Sequence, residues 1–110
     1  MAIPEADLTR IRDWCEEQTS PEHRDQLRYE AEVDGHRVTV VEVSPPWDGE
    51  GAEVRFPVAR FTWVARREVW ELYWRDRNSK FHLYDQARPS HTIVPLLAHV
   101  ERDPYAIFFG

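Results

Sequence analysis

The stretch WELYWRDRNSKFHLYD, residues 70–85, decides the fold because it predicts a β-hairpin. Two aromatic-rich segments, 69–75 and 80–85, flank a polar turn at 76–79. Side chains alternate between the two faces of a strand, so each segment places its side chains alternately on two sides of the sheet. The stretch therefore predicts the fourth and fifth strands of an antiparallel sheet.

The segment VARFTWVA, residues 58–65, predicts the third strand and is joined to the fourth by a short link. We expect Ala65 opposite Trp70 across this hairpin, and Arg75 opposite Lys80 across the next one. These registers place a set of large apolar side chains on the face that the helices cover. The set is Phe61, Trp63, Leu72, Trp74, Phe81 and Leu83.

The opposite face of the predicted sheet carries side chains that suit a ligand. They are Arg60, Thr62, Glu71, Tyr73, Arg75, Lys80, His82 and Tyr84. Guanidinium groups bind anions, and tyrosine rings stack on planar groups. One interpretation is a ligand-binding site of Arg60, Tyr73, Arg75, His82 and Tyr84. The other is a solvated face on which Tyr and Arg stems cover apolar surface, and a one-residue bulge would exchange the two faces.

The N-terminal segment predicts a helix over residues 4–18, with Pro4 suited to the first turn. Its apolar residues recur at helical spacing. They are Leu8, Ile11, Trp14 and Cys15. Cys15 on this stripe is typical of a small core residue, and a nucleophile paired with a histidine is the alternative. A single cysteine excludes an internal disulfide and fits a reducing compartment, so we expect a cytoplasmic protein.

Residues 26–44 predict a hairpin with a two-residue turn at Asp34-Gly35, which places Val33 opposite His36. The next segment, PPWDGEGAEVRFP at 45–57, predicts a surface loop because it is rich in proline, glycine and acids. Trp47 lies in this loop, where an exposed aromatic side chain can anchor a partner protein. The alternative is that Trp47 folds back over the edge of the sheet.

The C-terminal residues predict a helix over 93–102, with Thr92 as its N-cap and Asp103-Pro104 at its end. The last segment, YAIFFG at 105–110, is apolar, so we expect it to pack on the sheet or to add an edge strand. The predicted order is helix, five strands, helix and terminal segment. This order is typical of a single α+β domain over residues 1–110, with an antiparallel meander and the C-terminal helix packed on one face.

Charge is distributed unevenly along the 110 residues. The net charge of −6 disfavours nucleic acid as a partner, without excluding it. Residues 1–53 carry 14 acids and 5 bases, whereas residues 54–110 carry 6 acids and 9 bases. Complementary patches of this kind steer protein association, so another protein is a candidate partner. No signal peptide or membrane span is predicted, and the oligomeric state is left open.

Two further functions follow from other groups of residues. A metal-dependent hydrolase would use His82, Asp85 and His91, because divalent metals take such ligands. Single-stranded nucleic acid would instead contact the sheet through Arg and Tyr side chains. Those are Arg60, Tyr73, Arg75 and Tyr84. The sequence contains no phosphate-binding or nucleophile-elbow motif, and a non-enzymatic binding module is the preferred hypothesis.

Residues 57–110 resemble a bacterial family catalogued as domain of unknown function 3024. The resemblance rests on PVARFTW, on the WELYWRDRNSKFHLY hairpin, on the LL of the second helix and on DP followed by FFG. The N-terminal half resembles the family more loosely. Ser79 departs from it where glycine is expected, and Phe81 departs where tryptophan is common. The resemblance implies a small stand-alone protein, and it implies no established activity, cofactor or catalytic residue.

Overall fold

A computed structural model describes residues 2–46 and 48–109. Within them lie two α-helices and a five-stranded antiparallel sheet in the order β1-β2-β3-β4-β5. The helices are α1 (Glu5–Gln18) and α2 (Val94–Arg102), and a short 3₁₀ turn spans Pro21–His23. The strands are β1 (Arg28–Asp34), β2 (Arg37–Ser44), β3 (Val54–Val64), β4 (Val69–Arg75) and β5 (Phe81–Leu83). The predicted α+β class is confirmed.

Both helices pack on one face of the sheet, which we call the helix face. From the sheet, this face contributes Val38, Val40, Ala59, Phe61, Trp63, Trp70 and Leu72 to the core. From the helices come Ile11, Trp14, Cys15, Leu96, Leu97 and Val100. Ile11, Trp14 and Cys15 of the stripe predicted for α1 are therefore core, and burial of the core side chains is the main stabilising contribution. The other face of the sheet, which neither helix covers, is called the open face.

A buried carboxylate ties three elements of the core together. Asp7, 7% exposed in α1, accepts a hydrogen bond from Trp70 Nε1 in β4 at 2.9 Å. Its second oxygen accepts the backbone N–H of Ile93 at 3.2 Å, at the entry of α2. The prediction of Thr92 as N-cap is wrong: Ile93 occupies that position, and Asp7 supplies the acceptor from outside the helix.

Two predicted registers are wrong by two residues. In the first hairpin the turn is Gly35-His36 rather than Asp34-Gly35, and Asp34 pairs with Arg37. Gly35 has φ +60°, which glycine adopts without a steric cost. In the β3–β4 hairpin, Trp63 rather than Ala65 lies opposite Trp70. Since side chains alternate with period two, an even shift keeps every side chain on its predicted face.

Strand β3 begins at Val54, so the predicted loop over 45–57 wrongly includes the first four residues of this strand. The pairing of β3 with β2 is interrupted at Val58, because Val40 pairs with Ala59 whereas Val41 pairs with Pro57. A bulge of this kind bends the strand and increases its twist. Proline is tolerated here because β4 pairs only with residues 59–64, which leaves Pro57 beyond the end of that ladder.

The predicted register of β4 with β5 is wrong by one residue, and this error exchanges the faces of β5. Arg75 pairs with Phe81 rather than Lys80, and Trp74 pairs with His82. The loop between the two strands therefore spans residues 76–80, five residues instead of the predicted four. It is closed by the backbone N–H of Asp76, which donates to the carbonyl of Lys80 at 2.8 Å. His82 therefore lies on the helix face, and Phe81 lies on the open face.

The C-terminal segment is anchored by the carboxylate of Asp103, a residue with φ +42° at the end of α2. Its two oxygens accept the backbone N–H groups of Ile107, Phe108 and Phe109 at 2.8–3.0 Å. Phe108 is buried, and Phe109 packs on the ring of Tyr29 in β1 at 5.8 Å between centroids. Among the described residues of this segment none forms a strand, so it packs on the sheet instead of extending it.

Candidate functional site

A depression of about 310 Å³ on the open face collects side chains from four strands. It is lined by Arg37 of β2, Arg60 and Thr62 of β3, Tyr73 of β4 and Phe81 of β5. The sheet register places them together, because Arg37 pairs with Thr62 and Arg60 pairs with Tyr73. We call it the Arg60 depression.

Arg60 lies at the centre of this depression in an unusual environment for a charged group. Its guanidinium carbon is 3.8 Å from the centroid of the Phe81 ring, and its Nε donates to Thr39 Oγ1 at 3.1 Å. Burial, and then the charge of Arg37, lower the pKa of Arg60 from its ordinary value. In the part of the chain that the structure describes, no carboxylate forms an ion pair with Arg60. Its charge is therefore available to a ligand.

Three other arginines of the open face, Arg28, Arg37 and Arg55, have carboxylate partners. One network joins β1, β3 and the preceding loop through contacts of 2.6–2.7 Å between charged atoms. Its members are Arg28, Glu30, Glu32, Glu53 and Arg55. Hydrogen bonds from Arg55 and then Arg28 lower the pKa of Glu30. Val41 and Val43, on the same side of β2, are only 2% and 1% exposed, so this network forms a cover over apolar surface.

The five predicted ligand-binding residues do not share one face. Arg60 and Tyr73 lie together in the depression, and the expectation for His82 and Tyr84 is corrected by the one-residue register shift. Tyr84 is 3% exposed and packs against the ring of Phe108 at 5.3 Å. Burial raises the pKa of Tyr84. His82 has its Nε2 2.6 Å from Asp76 Oδ2 and its ring 5.0 Å from the ring of Trp74.

Arg75 is the fifth of these residues, and it extends away from the Arg60 depression. Its guanidinium carbon lies 4.0 Å from the centroid of the Phe56 ring, and its Nη1 donates to Ser79 Oγ at 2.8 Å. Trp47, the predicted partner-binding residue, lies outside the described residues. The ligand-binding and partner-binding roles of all six residues stay predictions.

The residues of the hydrolase hypothesis are not brought together. His82 contacts Asp76 at one end of β4, whereas His91 Nδ1 donates to the carbonyl of Glu68 at 2.6 Å, beyond the other end. Asp85 accepts a hydrogen bond from the neighbouring Gln86 side chain. Over residues 2–46 and 48–109, no group of three His, Cys, Asp or Glu side chains is arranged to hold a metal ion.

Cys15 is buried in the core, as its position on the apolar stripe predicts. Burial, followed by the charges of Glu16 and Glu30, raises its pKa to about 12. The thiolate is the nucleophilic form of cysteine, so the environment of Cys15 suppresses the reactive species. This position favours packing over covalent chemistry.

Sequence reasoning missed two residues of the Arg60 depression, Arg37 and Phe81. Pairing of the second strand with the third places Arg37 opposite Thr62, and no pairing between these two strands was predicted. Phe81 was assigned to the core because the predicted loop was one residue too short. Arg37 could have been found from the alternation of polar and apolar residues along RVTV, residues 37–40, whereas the loop length has no clear signal.

The fold and the depression define an α+β protein with one open sheet face. The family model described as Domain of unknown function (DUF3024) matches residues 2–110, and the chain belongs to this family. Comparison with curated proteins and with solved structures gives no match. Among the described residues, no helix is long and apolar enough to cross a membrane.

Proposed function

We propose that this protein is a non-enzymatic binding module that holds an anionic group, a carboxylate or a phosphate, in the Arg60 depression. The observation that carries the proposal is the unpaired guanidinium of Arg60, held against Phe81 on the open face. A charge that is partly withdrawn from water, without a carboxylate partner, gains more from an incoming anion than an exposed charge does.

The neighbours of Arg60 support an anion at the same place. Arg37 adds a second positive charge, and its contact with Asp34 is 3.3 Å long and lies at the exposed rim. Thr62 adds a hydroxyl that can donate to an oxyanion. Glu71, the acidic residue of β4, would repel a bound anion. Arg67 lies 3.7 Å from the Glu71 carboxylate and offsets this repulsion.

The chemistry of the lining residues favours binding over catalysis. Tyr73 donates its hydroxyl to Glu71 at 3.3 Å, and burial, followed by the charge of Glu71, raises its pKa. Its hydroxyl therefore stays protonated and is a poor general base at neutral pH. A guanidinium group does not act as a proton donor or acceptor in catalysis at neutral pH, so arginine side chains bind charge without exchanging protons. The buried free thiol of Cys15 supports a cytoplasmic setting for this single domain.

The proposal is tested by amide-resolved NMR titration with phenyl phosphate, benzoate and inorganic phosphate at low salt. We expect shifts that cluster on Arg60, Thr62, Tyr73 and Phe81 and that weaken as salt is added. Arg60→Gln removes the central charge and should abolish them. Arg66→Gln, an exposed arginine in the β3–β4 turn, is the matched control and should bind as the parent does.

Two results would refute the assignment. One is a spectrum that does not respond to any of the three anions. The other is a set of shifts that survives Arg60→Gln or that disappears equally in Arg66→Gln. Because both substitutions are at positions outside the buried core, thermal melting should show that each variant remains folded.

A further inference from the structure

A row of side chains that includes three aromatic rings, those of Tyr29, Phe56 and Phe109, crosses the end of the sheet away from the Gly35-His36 turn. The ring of Phe109 packs on Tyr29 of β1 at 5.8 Å between centroids. Tyr29 is opposite Glu42 of β2, which is opposite Phe56 of β3. The guanidinium of Arg75 then lies 4.0 Å over the Phe56 ring. The row therefore runs from the C-terminal segment to the end of β4.

A groove of about 470 Å³ follows this row. We call it the Phe56 groove, and the residues that matter for its chemistry are Glu42, Phe56, Pro57, Arg75, Arg77 and Phe109. It exists because β4 ends at Arg75 while β3 continues back to Val54, which leaves the first residues of β3 without a neighbour on one side. The Val58 bulge bends this part of β3.

The two phenylalanines at the groove are held in exposed positions by the backbone. Phe56 is 49% exposed and Phe109 is 40% exposed, although both rings are large and apolar. The sheet register fixes Phe56, and the carboxylate of Asp103 fixes Phe109 through its backbone N–H at 2.8 Å. Neighbouring exposed apolar side chains around one groove are typical of an interaction surface, unlike scattered single ones.

The charges around the groove are arranged with a polarity. The carboxylate of Asp76 already has hydrogen-bond partners outside the groove. Its Oδ1 accepts the backbone N–H groups of Asn78 and Lys80, and its Oδ2 contacts His82. Arg75 and Arg77 form no ion pair with any described carboxylate, so this end of the groove is positive. Glu42, on β2, makes the other end negative.

We infer that the Phe56 groove docks an extended segment of a partner protein that carries an apolar side chain next to an acidic one. The apolar side chain packs between Phe56 and Phe109, and the acidic group pairs with Arg75 and Arg77. Glu42 favours a basic or neutral residue at the other end of the segment. This site is separate from the Arg60 depression, because the two share no lining residue.

The test is selection from a phage-displayed library of random heptapeptides on the immobilised full chain. We expect enriched peptides to combine an aromatic or aliphatic residue with aspartate or glutamate. A synthetic copy of an enriched peptide, followed by fluorescence anisotropy, should lose about tenfold or more in affinity with Phe56→Ala and with Arg77→Glu. Arg66→Glu makes the same charge change at an exposed turn and should bind as the parent does.

A second selection on the Arg77→Glu variant sharpens the test, since it should enrich lysine or arginine where the first selection enriched acids. The inference is overturned if no peptide is enriched over a Phe56→Ala/Arg77→Glu double variant, or if Arg66→Glu weakens binding as much as Arg77→Glu. Displacement of the selected peptide by oligothymidine would also overturn it, because the groove would then take single-stranded nucleic acid. Arg77 is exposed, so its variant tests the site even if Phe56→Ala unfolds the protein.

Discussion

The indole nitrogen of Trp70 donates a hydrogen bond to the carboxylate of Asp7 at 2.9 Å, and these residues are 63 positions apart in the chain. Trp70 is fully buried, and Asp7 is 7% exposed. The same carboxylate accepts the N–H of Ile93. A single buried anion therefore fixes the position of α1 against the sheet and against the entry of α2.

We predict that Asp7→Ala lowers the free energy of unfolding by roughly 2–4 kcal/mol, because it leaves two buried N–H groups without an acceptor. Urea denaturation followed by tryptophan fluorescence measures the change. Asp13→Ala removes an exposed carboxylate from the same helix and should change stability by less than about 0.5 kcal/mol. Equal effects of the two substitutions would show that the Asp7 contacts do not stabilise the fold.

The elements of the fold could be predicted from the sequence, because each has a strong local pattern. The stripe of Ile11 and Cys15, the alternation along β3 and β4 and the Asp103-Pro104 helix end all appear where they were expected. These patterns report which side of an element is apolar. They do not report which residue of a neighbouring strand lies opposite, since apolar alternation is satisfied equally well by a register that differs by two residues.

The candidate site was harder to predict, because it depends on loop length and on long-range contacts. The five-residue loop over residues 76–80 placed His82 and Tyr84 on the helix face and brought Phe81 under Arg60. Asp7 has no signal of its own in the sequence, because an aspartate in a first helical turn is ordinarily a solvated residue. Its buried role appears only when β4 and α2 are placed against the helix.

Cys15 should resist modification in the native protein, because burial raises its pKa to about 12. We expect very slow reaction with a disulfide reagent at pH 8 and rapid reaction in denaturant, where the thiol has its ordinary pKa. Absorbance of the released thiolate measures both rates. Rapid native labelling would contradict the buried position, provided that the labelled protein keeps its circular dichroism spectrum.

Acid should remove a contribution that Asp76 makes to stability. Its hydrogen bond with His82, and then that with the backbone of Lys80, lower the pKa of Asp76 from 3.8 to about 2. A depressed folded-state pKa means that the contribution is present above the unfolded value, near pH 4, and is lost as the pH falls through about 2. The excess stability of the parent over Asp76→Asn should therefore be constant above pH 5 and shrink from pH 4 downwards.

Urea midpoints of the parent and Asp76→Asn between pH 6 and pH 2 test this expectation. Asp25→Asn, at an exposed position after the 3₁₀ turn, is the control and should follow the parent across the range. A difference between parent and Asp76→Asn that stays constant down to pH 2 would show that the carboxylate is not stabilised in the folded protein. A difference that grows as the pH falls would mean that folding raises the pKa of Asp76, which is the opposite of the predicted direction.

Ser79 carries a conformational cost that a smaller residue would relieve. Its φ of +67° lies in the left-handed region, where a Cβ atom is crowded, and the family resemblance implies glycine at this position. Ser79→Ala and Ser79→Gly both remove the hydroxyl that accepts a hydrogen bond from Arg75. The difference between these two variants therefore isolates the backbone term.

We predict that Ser79→Gly is more stable than Ser79→Ala by about 1 kcal/mol, as measured by chemical denaturation. The same pair of substitutions at Asn78 is the control, because its backbone does not have a positive φ, and there glycine should give no advantage over alanine. If alanine is at least as stable as glycine at Ser79, the loop does not hold this residue in the left-handed region. The five-residue loop, and with it the placement of Phe81 beneath Arg60, would then need a different explanation.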